Sequence, residues 1–196
     1  MKKIFSKYTA VILAGGNSFR MGEDKALLKL NNGKTFIQSI YDIISLRFDK
    51  IIISTNNPKI RISGAKHVAD IIKNSGPAGG ICSALRASET ERCFVTTVDM
   101  PFINHDLIDF LVYSDSEKFD AVFISEGNKP YPLTGIYSKK TYAVFEKEIK
   151  KGNRKITNIL YGLKFKNIDI SDQSFYSKHI LQNINTREDY KKIFRS

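Results

Sequence analysis

Short, nearly continuous apolar runs alternate along the chain with longer stretches whose apolar residues recur at helical spacing. Runs of the first kind, Thr9–Leu13, Lys50–Ser54, Lys66–Ala69, Cys93–Val98 and Asp120–Ile124, read as strands. Stretches of the second kind, Thr35–Leu46, Gly79–Ala87 and His105–Tyr113, read as helices, the last with Asn104 as its N-cap. This alternation predicts a three-layer α/β/α, Rossmann-like architecture around a mostly parallel sheet. Beyond residue 130 the rhythm changes. Leu133–Tyr137 reads as a strand entered through Pro130 and Pro132, and one antiparallel strand is expected in the sheet. Helices follow near Thr141–Lys150 and Arg154–Leu163, then a strand near Lys164–Ile170 and a terminal helix from Thr186. No repeat, low-complexity tract or linker interrupts the pattern, so residues 1–196 are expected to form a single domain with a substantial core.

Composition changes this picture little. The opening MKKIFSKYTAVILAGG lacks a long apolar segment with a small-residue cleavage site, and no run approaches the roughly 20 apolar residues of a membrane span. A cytoplasmic protein without membrane contact is expected. Cys82 and Cys93 have no His or Cys at ligand spacing and are expected to be reduced and buried. The net charge of +11 is concentrated late, with 14 Lys/Arg against 6 Asp/Glu from Lys139 onward. These lysines are scattered, without an arginine-rich helix or an aromatic RNA-binding signature, so a nucleic-acid partner is not expected. They form a solvated face or a basic rim that attracts a small polyanionic substrate.

The chemistry begins in VILAGGNSFRMGEDKALL, positions 11–28. Two familiar phosphate loops fail here. Gly33-Lys34-Thr35 has the ending of a Walker A loop, but Leu28 stands where its first glycine belongs, so it is a turn. Gly15-Gly16-Asn17 breaks the dinucleotide fingerprint at its third position. Yet the first strand ends near Leu13, and Ala14, Gly15 and Gly16 bring backbone amides to an anion with little side chain in the way. Arg20 offers a fork and Lys25 a point charge, a pair suited to a triphosphate. Asp99, in VTTVDMPF, ends another strand and should project at the same sheet edge. A carboxylate facing a triphosphate there suits a hard divalent cation, Mg²⁺, which takes one or two carboxylates plus substrate phosphates.

These residues resemble the L-A-G-G-x-S-x-R-M-G-x-D-K signature of the MobA-like nucleotidyltransferases. Asp70, Gly76-Pro77-Ala78-Gly79-Gly80-Ile81, Asp99-Met100-Pro101-Phe102, Pro132-Leu133-Thr134-Gly135-Ile136-Tyr137 and Asn183-Ile184-Asn185-Thr186 extend the resemblance over nearly the whole chain. GPAGG, DMP and NINT together narrow it towards the guanylyltransferase members. The chain departs from the family pattern in Ala78-Gly79 for Leu-Ala, Ser54 for an asparagine that touches the nucleotide, and Arg187 for proline.

The resemblance implies transfer of GMP from GTP to the terminal phosphate of Mo-molybdopterin, with release of pyrophosphate. It implies nucleotide contacts at Leu13, Ala14, Gly15, Gly16, Ser54, Asp70, Gly76 and Pro77, with Lys25 on the phosphates and Asp99 binding Mg²⁺. Gly79, Gly80, Asn183 and Asn185 would border or bind the acceptor. Residues 1–100 or so would then serve the nucleotide and the remainder the pterin, and hand-over contacts with a molybdenum insertase and with molybdoenzyme chaperones are implied. Lys25, Arg20 and Asp99 are the catalytic set, acting by charge neutralisation. His67, His105 and His179 lack catalytic partners and are expected in packing or surface roles. A carboxylate such as Asp70 can accept from guanine N1–H and 2-NH₂ together, which favours GTP. A relative using CTP or another phosphorylated acceptor, and a regulatory or RNA-binding module on the same scaffold, are the alternatives. Lys25 and Asp99 together argue against loss of chemistry.

Overall fold

The computed structural model describes residues 4–15 and 24–194. Gly16 and Arg20 lie outside them. Among the described residues seven strands form one sheet: β1 Tyr8–Leu13, β2 Lys50–Ser54, β3 Lys66–Val68, β4 Arg92–Thr97, β5 Ala121–Glu126, β6 Lys129–Ser138 and β7 Phe165–Asp169. Their order is β3-β2-β1-β4-β6-β5-β7. Only β6 runs antiparallel to its neighbours, β4 and β5; every other pairing is parallel. The expected mostly parallel sheet with one antiparallel strand is therefore found.

Six helices, α1 Phe36–Ser45, α2 Gly76–Ala87, α3 His105–Tyr113, α4 Tyr142–Lys150, α5 Ile156–Leu160 and α6 Arg187–Phe194, complete the described residues. The pleat sorts β1 between two cores. Ala10 and Ile12 join α1 and α3 on one face, while Val11 and Leu13 join α2, α4 and α5 on the other. Thr35 caps α1 by accepting from the Gln38 amide, and Asn104 caps α3 by accepting from Leu107. Thr35 thus ends the false Walker A segment as a cap, after a turn through Gly33 at φ 80°.

Three elements differ by three or more residues at one end from the pattern-based expectation. Helix α2 starts at Gly76, three residues before Gly79, because Pro77 is tolerated in a first helical turn whose amides need no helical acceptor. Strand β6 starts at Lys129 and carries Pro130 and Pro132 within it. Within β6, only Gly135–Ser138 pair with β4, and a register shift interrupts the β5 pairing between Phe123 and Ile124, so the prolines interrupt no continuous central ladder. Helix α5 is shorter than expected, its end passing into turns through Gly162 and Leu163.

The parallel strands bring Leu13, Ser54, Val68, Thr97 and Glu126 to one carboxyl edge. The chain runs outward from β1 through β2 to β3, then returns to β4 on the other side of β1. Ligands bind open α/β sheets at such a switch point, outside the carboxyl ends of the strands.

Candidate active site

At the switch point the ladder closes tightly. The Leu13 carbonyl accepts from Val98 N–H at 3.1 Å, and Ala14 N–H donates to the Ser54 carbonyl at 2.8 Å. Ala14 therefore spends its amide on the protein, a correction to its expected use as an anion donor; exposed Gly15 follows it. The chain returns at Asp24, whose carboxylate accepts from Ala26 N–H at 3.0 Å and from the Asn57 amide at 2.7 Å. Asp24 thus caps the 3₁₀ turn Lys25–Leu27 and ties it to the β2–β3 connection.

That anchored turn delivers Lys25. Its Nζ lies 3.2 Å from Asp99 Oδ1 and 3.0 Å from Asn185 Oδ1, uniting segments 74 and 160 residues distant. Asp99 leaves β4 through a turn in which Met100 N–H donates to the Thr97 carbonyl. The Asp99 carbonyl in turn accepts from Ile184 N–H at 2.9 Å. Ile184 is fully buried with Leu28 and Phe36, so an apolar anchor holds Asn183 and Asn185 to either side beside Asp99. Thr186 and Asp189 then cap α6 reciprocally, Thr186 N–H donating to the Asp189 carboxylate and Asp189 N–H to Thr186 Oγ1.

On the β2–β3 side, Asp70 and Asn56 form a reciprocal pair. Asn56 Nδ2 donates to Asp70 Oδ2 at 2.8 Å, and Asp70 N–H donates to Asn56 Oδ1 at 2.9 Å. Burial raises the Asp70 carboxyl above its ordinary value, and the Asn56 bond partly offsets this. Ser54 Oγ donates to the Gly80 carbonyl at 3.3 Å. A Cβ on Gly80 would meet Ser54 Oγ at 2.9 Å, and one on Gly79 would meet Ser75 Cβ at 2.7 Å. Gly79 and Gly80 are buried and let α2 press against the Asp70 and Ser54 side of the edge, while Gly76 and Pro77 are exposed at its first turn.

On the other side of β4, Glu126, Lys129, Tyr131, Lys178, His179, Asn183 and Asn185 are among the residues lining a cavity of about 560 Å³. His179, expected in a packing or surface role, stacks on Phe102 with ring centroids 3.7 Å apart and forms part of this wall. His67 accepts from Ile62 N–H, and His105 bonds the Ile43 carbonyl, both structural roles.

The sequence matches the family model described as the MobA-like NTP transferase domain over residues 10–164. The chain belongs to this family. A relative of this MobA-like transferase from Aquifex aeolicus, described as "Probable molybdenum cofactor guanylyltransferase", is 31% identical over 94% of this chain and 89% of its own length. The molybdenum cofactor guanylyltransferase of Syntrophotalea carbinolica is also 31% identical, over 94% of this chain and 89% of its own length. The crystal structure of molybdopterin-guanine dinucleotide biosynthesis protein A from Archaeoglobus fulgidus superposes with a TM-score of 0.80 at 26% identity, covering 94% and 96% of the two chains.

The donor set of this MobA-like transferase fits a substrate-borne Mg²⁺ better than a protein-built metal cage. Among the described residues, no group of three or more His, Cys, Asp or Glu could hold a metal ion. Asp99 presents a carboxylate one-third exposed beside Lys25, and Mg²⁺ needs only one or two protein carboxylates when phosphates and water supply the rest. Pattern reading singled out Lys25 and Asp99, and the family resemblance added Asp70 and the late asparagines. Both missed the Asp24–Asn57 tie and the cavity wall from β5 and β6. An acidic residue just before the 3₁₀ turn was a signal for the first; the second had none.

Proposed function

We propose that this chain transfers GMP from GTP to the terminal phosphate of Mo-molybdopterin, forming the guanine dinucleotide cofactor and pyrophosphate. The meeting of Lys25, Asp99 and Asn185 carries the reading, because it brings to one point the residues assigned to the triphosphate, the metal and the acceptor. The names of the relatives support the same nucleotide and acceptor. In this reading residues 1 to 100 or so serve GTP, and the remainder serves the pterin. Leu13, Ala14, Gly15 and Gly16 border the nucleotide, Arg20 and Lys25 hold its phosphates, and Asp70 accepts from the guanine edge. Ser54, Gly76, Pro77, Gly79 and Gly80 shape that pocket. The cytoplasm suits the hand-over of product to molybdoenzyme chaperones.

The acceptor phosphate is already anionic near neutral pH, so the step needs orientation and charge neutralisation more than a base. An acceptor oxygen attacks the α-phosphorus, a new P–O bond forms, and the bond to the bridging oxygen of pyrophosphate breaks. Lys25 neutralises charge on the transferring group while Asn185 holds its ammonium in place. Asn183 and Asn185 offer amide donors to the incoming phosphate. When bound by Asp99 and the phosphates, Mg²⁺ supplies the remaining charge neutralisation.

The test is pyrophosphate release with Mo-molybdopterin present and absent, using GTP, CTP and ATP in turn. GTP should be preferred, release should need the acceptor, chelation should stop it, and Asp99→Ala should abolish it. A preference for CTP, or substantial Mg²⁺-dependent turnover by Asp99→Ala, overturns the assignment.

A further inference from the structure

The acceptor cavity contains one group for which phosphate chemistry has no use. Glu126, the last residue of β5, lines it as a carboxylate in a wall that also carries Lys129 and Lys178. A phosphate acceptor would be repelled by that charge, so Glu126 must face some other part of the molecule. Strand β5 lies two strands from β4, with β6 between them, which at about 4.8 Å per strand puts its end roughly 10 Å from that of β4. The carboxylate therefore stands well away from the end of the cavity that Asn185 shares with Lys25 and Asp99.

Its geometry is set by two phenols. Tyr131 donates to Oε2 at 3.1 Å, and Tyr176, from the connection between β7 and α6, donates to Oε1. Each oxygen has thus accepted one bond and keeps a second acceptor site, so the carboxylate can still take a side-by-side pair of donors. The same two bonds hold its carboxyl below the usual glutamate value, so it is ionised at neutral pH.

We infer that Glu126 reads the pyrimidine edge of the acceptor's pterin, accepting from its N3–H and 2-amino group together. The inference rests on the reading above, in which molybdopterin occupies this cavity. A pterin and a guanine carry the same 2-amino-4-oxo edge, and Asp70 is assigned to that edge on the nucleotide. The two carboxylates would then sit on opposite flanks of the Lys25–Asp99 centre, one for each heterocycle of the product. Glu126 is a specificity residue and takes no part in the bond-making step.

The experiment compares the wild-type chain with Glu126→Gln, which keeps the size but turns one oxygen into a donor that opposes the pterin's donors. Guanylyl transfer should show a KM for Mo-molybdopterin raised at least tenfold, with kcat and the KM for GTP within about twofold. A binding titration, followed by pterin fluorescence, uses 6-hydroxymethylpterin phosphate and its 2,4-dioxo analogue, which lacks the 2-amino group. The wild-type chain should prefer the amino compound at least tenfold, and the variant should lose that preference. Tyr176→Phe controls for a bracket role, because it removes one phenol and keeps the carboxylate; it should retain the preference. An unchanged acceptor KM, or equal preference in wild type and Glu126→Gln, overturns the Glu126 assignment. Absence of guanylyl transfer by the wild-type chain would instead overturn the functional reading beneath it.

Discussion

Lys25→Met removes the ammonium but keeps most of the stem, and it separates two roles that one ion pair could play. If the Lys25–Asp99 contact were chiefly a pin for the fold, losing it would cost stability. Its geometry argues otherwise. The side chains are 15% and 34% exposed, so the carboxylate left behind is open to water and stays solvated. A partly exposed pair of this kind is worth about 0.2–1 kcal/mol. At roughly 2–4 °C per kcal/mol for a chain of this size, the melting temperature should fall by no more than about 4 °C. Catalysis should respond on another scale. A fixed charge aimed at a reacting centre contributes about 10²–10³ in kcat, or roughly 2.7–4 kcal/mol of transition-state stabilisation.

Thermal melting and steady-state pyrophosphate release on the same preparation check both magnitudes. The KM for GTP should rise as well, since an unopposed Asp99 would then repel the triphosphate. Lys25→Arg should recover part of the rate, because it restores charge without the compact ammonium that fits between Asp99 and Asn185. Turnover within about tenfold of wild type would refute the catalytic role. A loss of more than about 10 °C in melting temperature would show that the pair is structural after all.

Gly135→Ala tests the β5–β6 pairing that carries the cavity wall. A Cβ there would lie 2.5 Å from the Val122 carbonyl oxygen and 2.6 Å from Phe123 Cβ, and strand backbone cannot swing aside as a side-chain tip can. The cost should reach about 3 kcal/mol, the upper end for overpacking. That corresponds to roughly 6–12 °C in melting temperature, and an unchanged melt would contradict the crowding. Cys82 and Cys93 are free and buried, and burial pushes both thiols up to about 11. Because the thiolate is the reactive form, only about one thiol in a thousand is reactive at pH 8 even before access is considered. The folded chain should leave a disulfide reagent such as dithionitrobenzoate uncoloured at pH 8, while guanidinium should release both thiols. Rapid stoichiometric labelling of the folded chain would refute their burial.

What pattern reading recovered, and what it missed, divides by the range of the interaction concerned. The cap at Asn104 acts over three residues, and strand alternation acts over two, so both leave marks within a short window of sequence. Lys25, Asp99 and Asn185 were each visible as a residue type in a motif, yet nothing local says that they touch. Their meeting depends on Ile184 N–H docking on the Asp99 carbonyl and on Ile184 filling a pocket with Leu28 and Phe36. Glu126 is the extreme case. In sequence it is an acid before Gly127-Asn128, the composition of an ordinary hairpin turn, with nothing to mark it as a site. Its character comes from Tyr176, 50 residues on, which reaches it only because β7 adds to β5 and returns the chain to the same edge. A motif can therefore announce the reacting centre, where each residue type is constrained by the chemistry. The cavity wall beyond β4 is assembled from residues whose types are common and whose partners are distant. That is why the motif residues could be read from the chain, while the part of the cavity wall built by β5 and β6 had to be read from the fold.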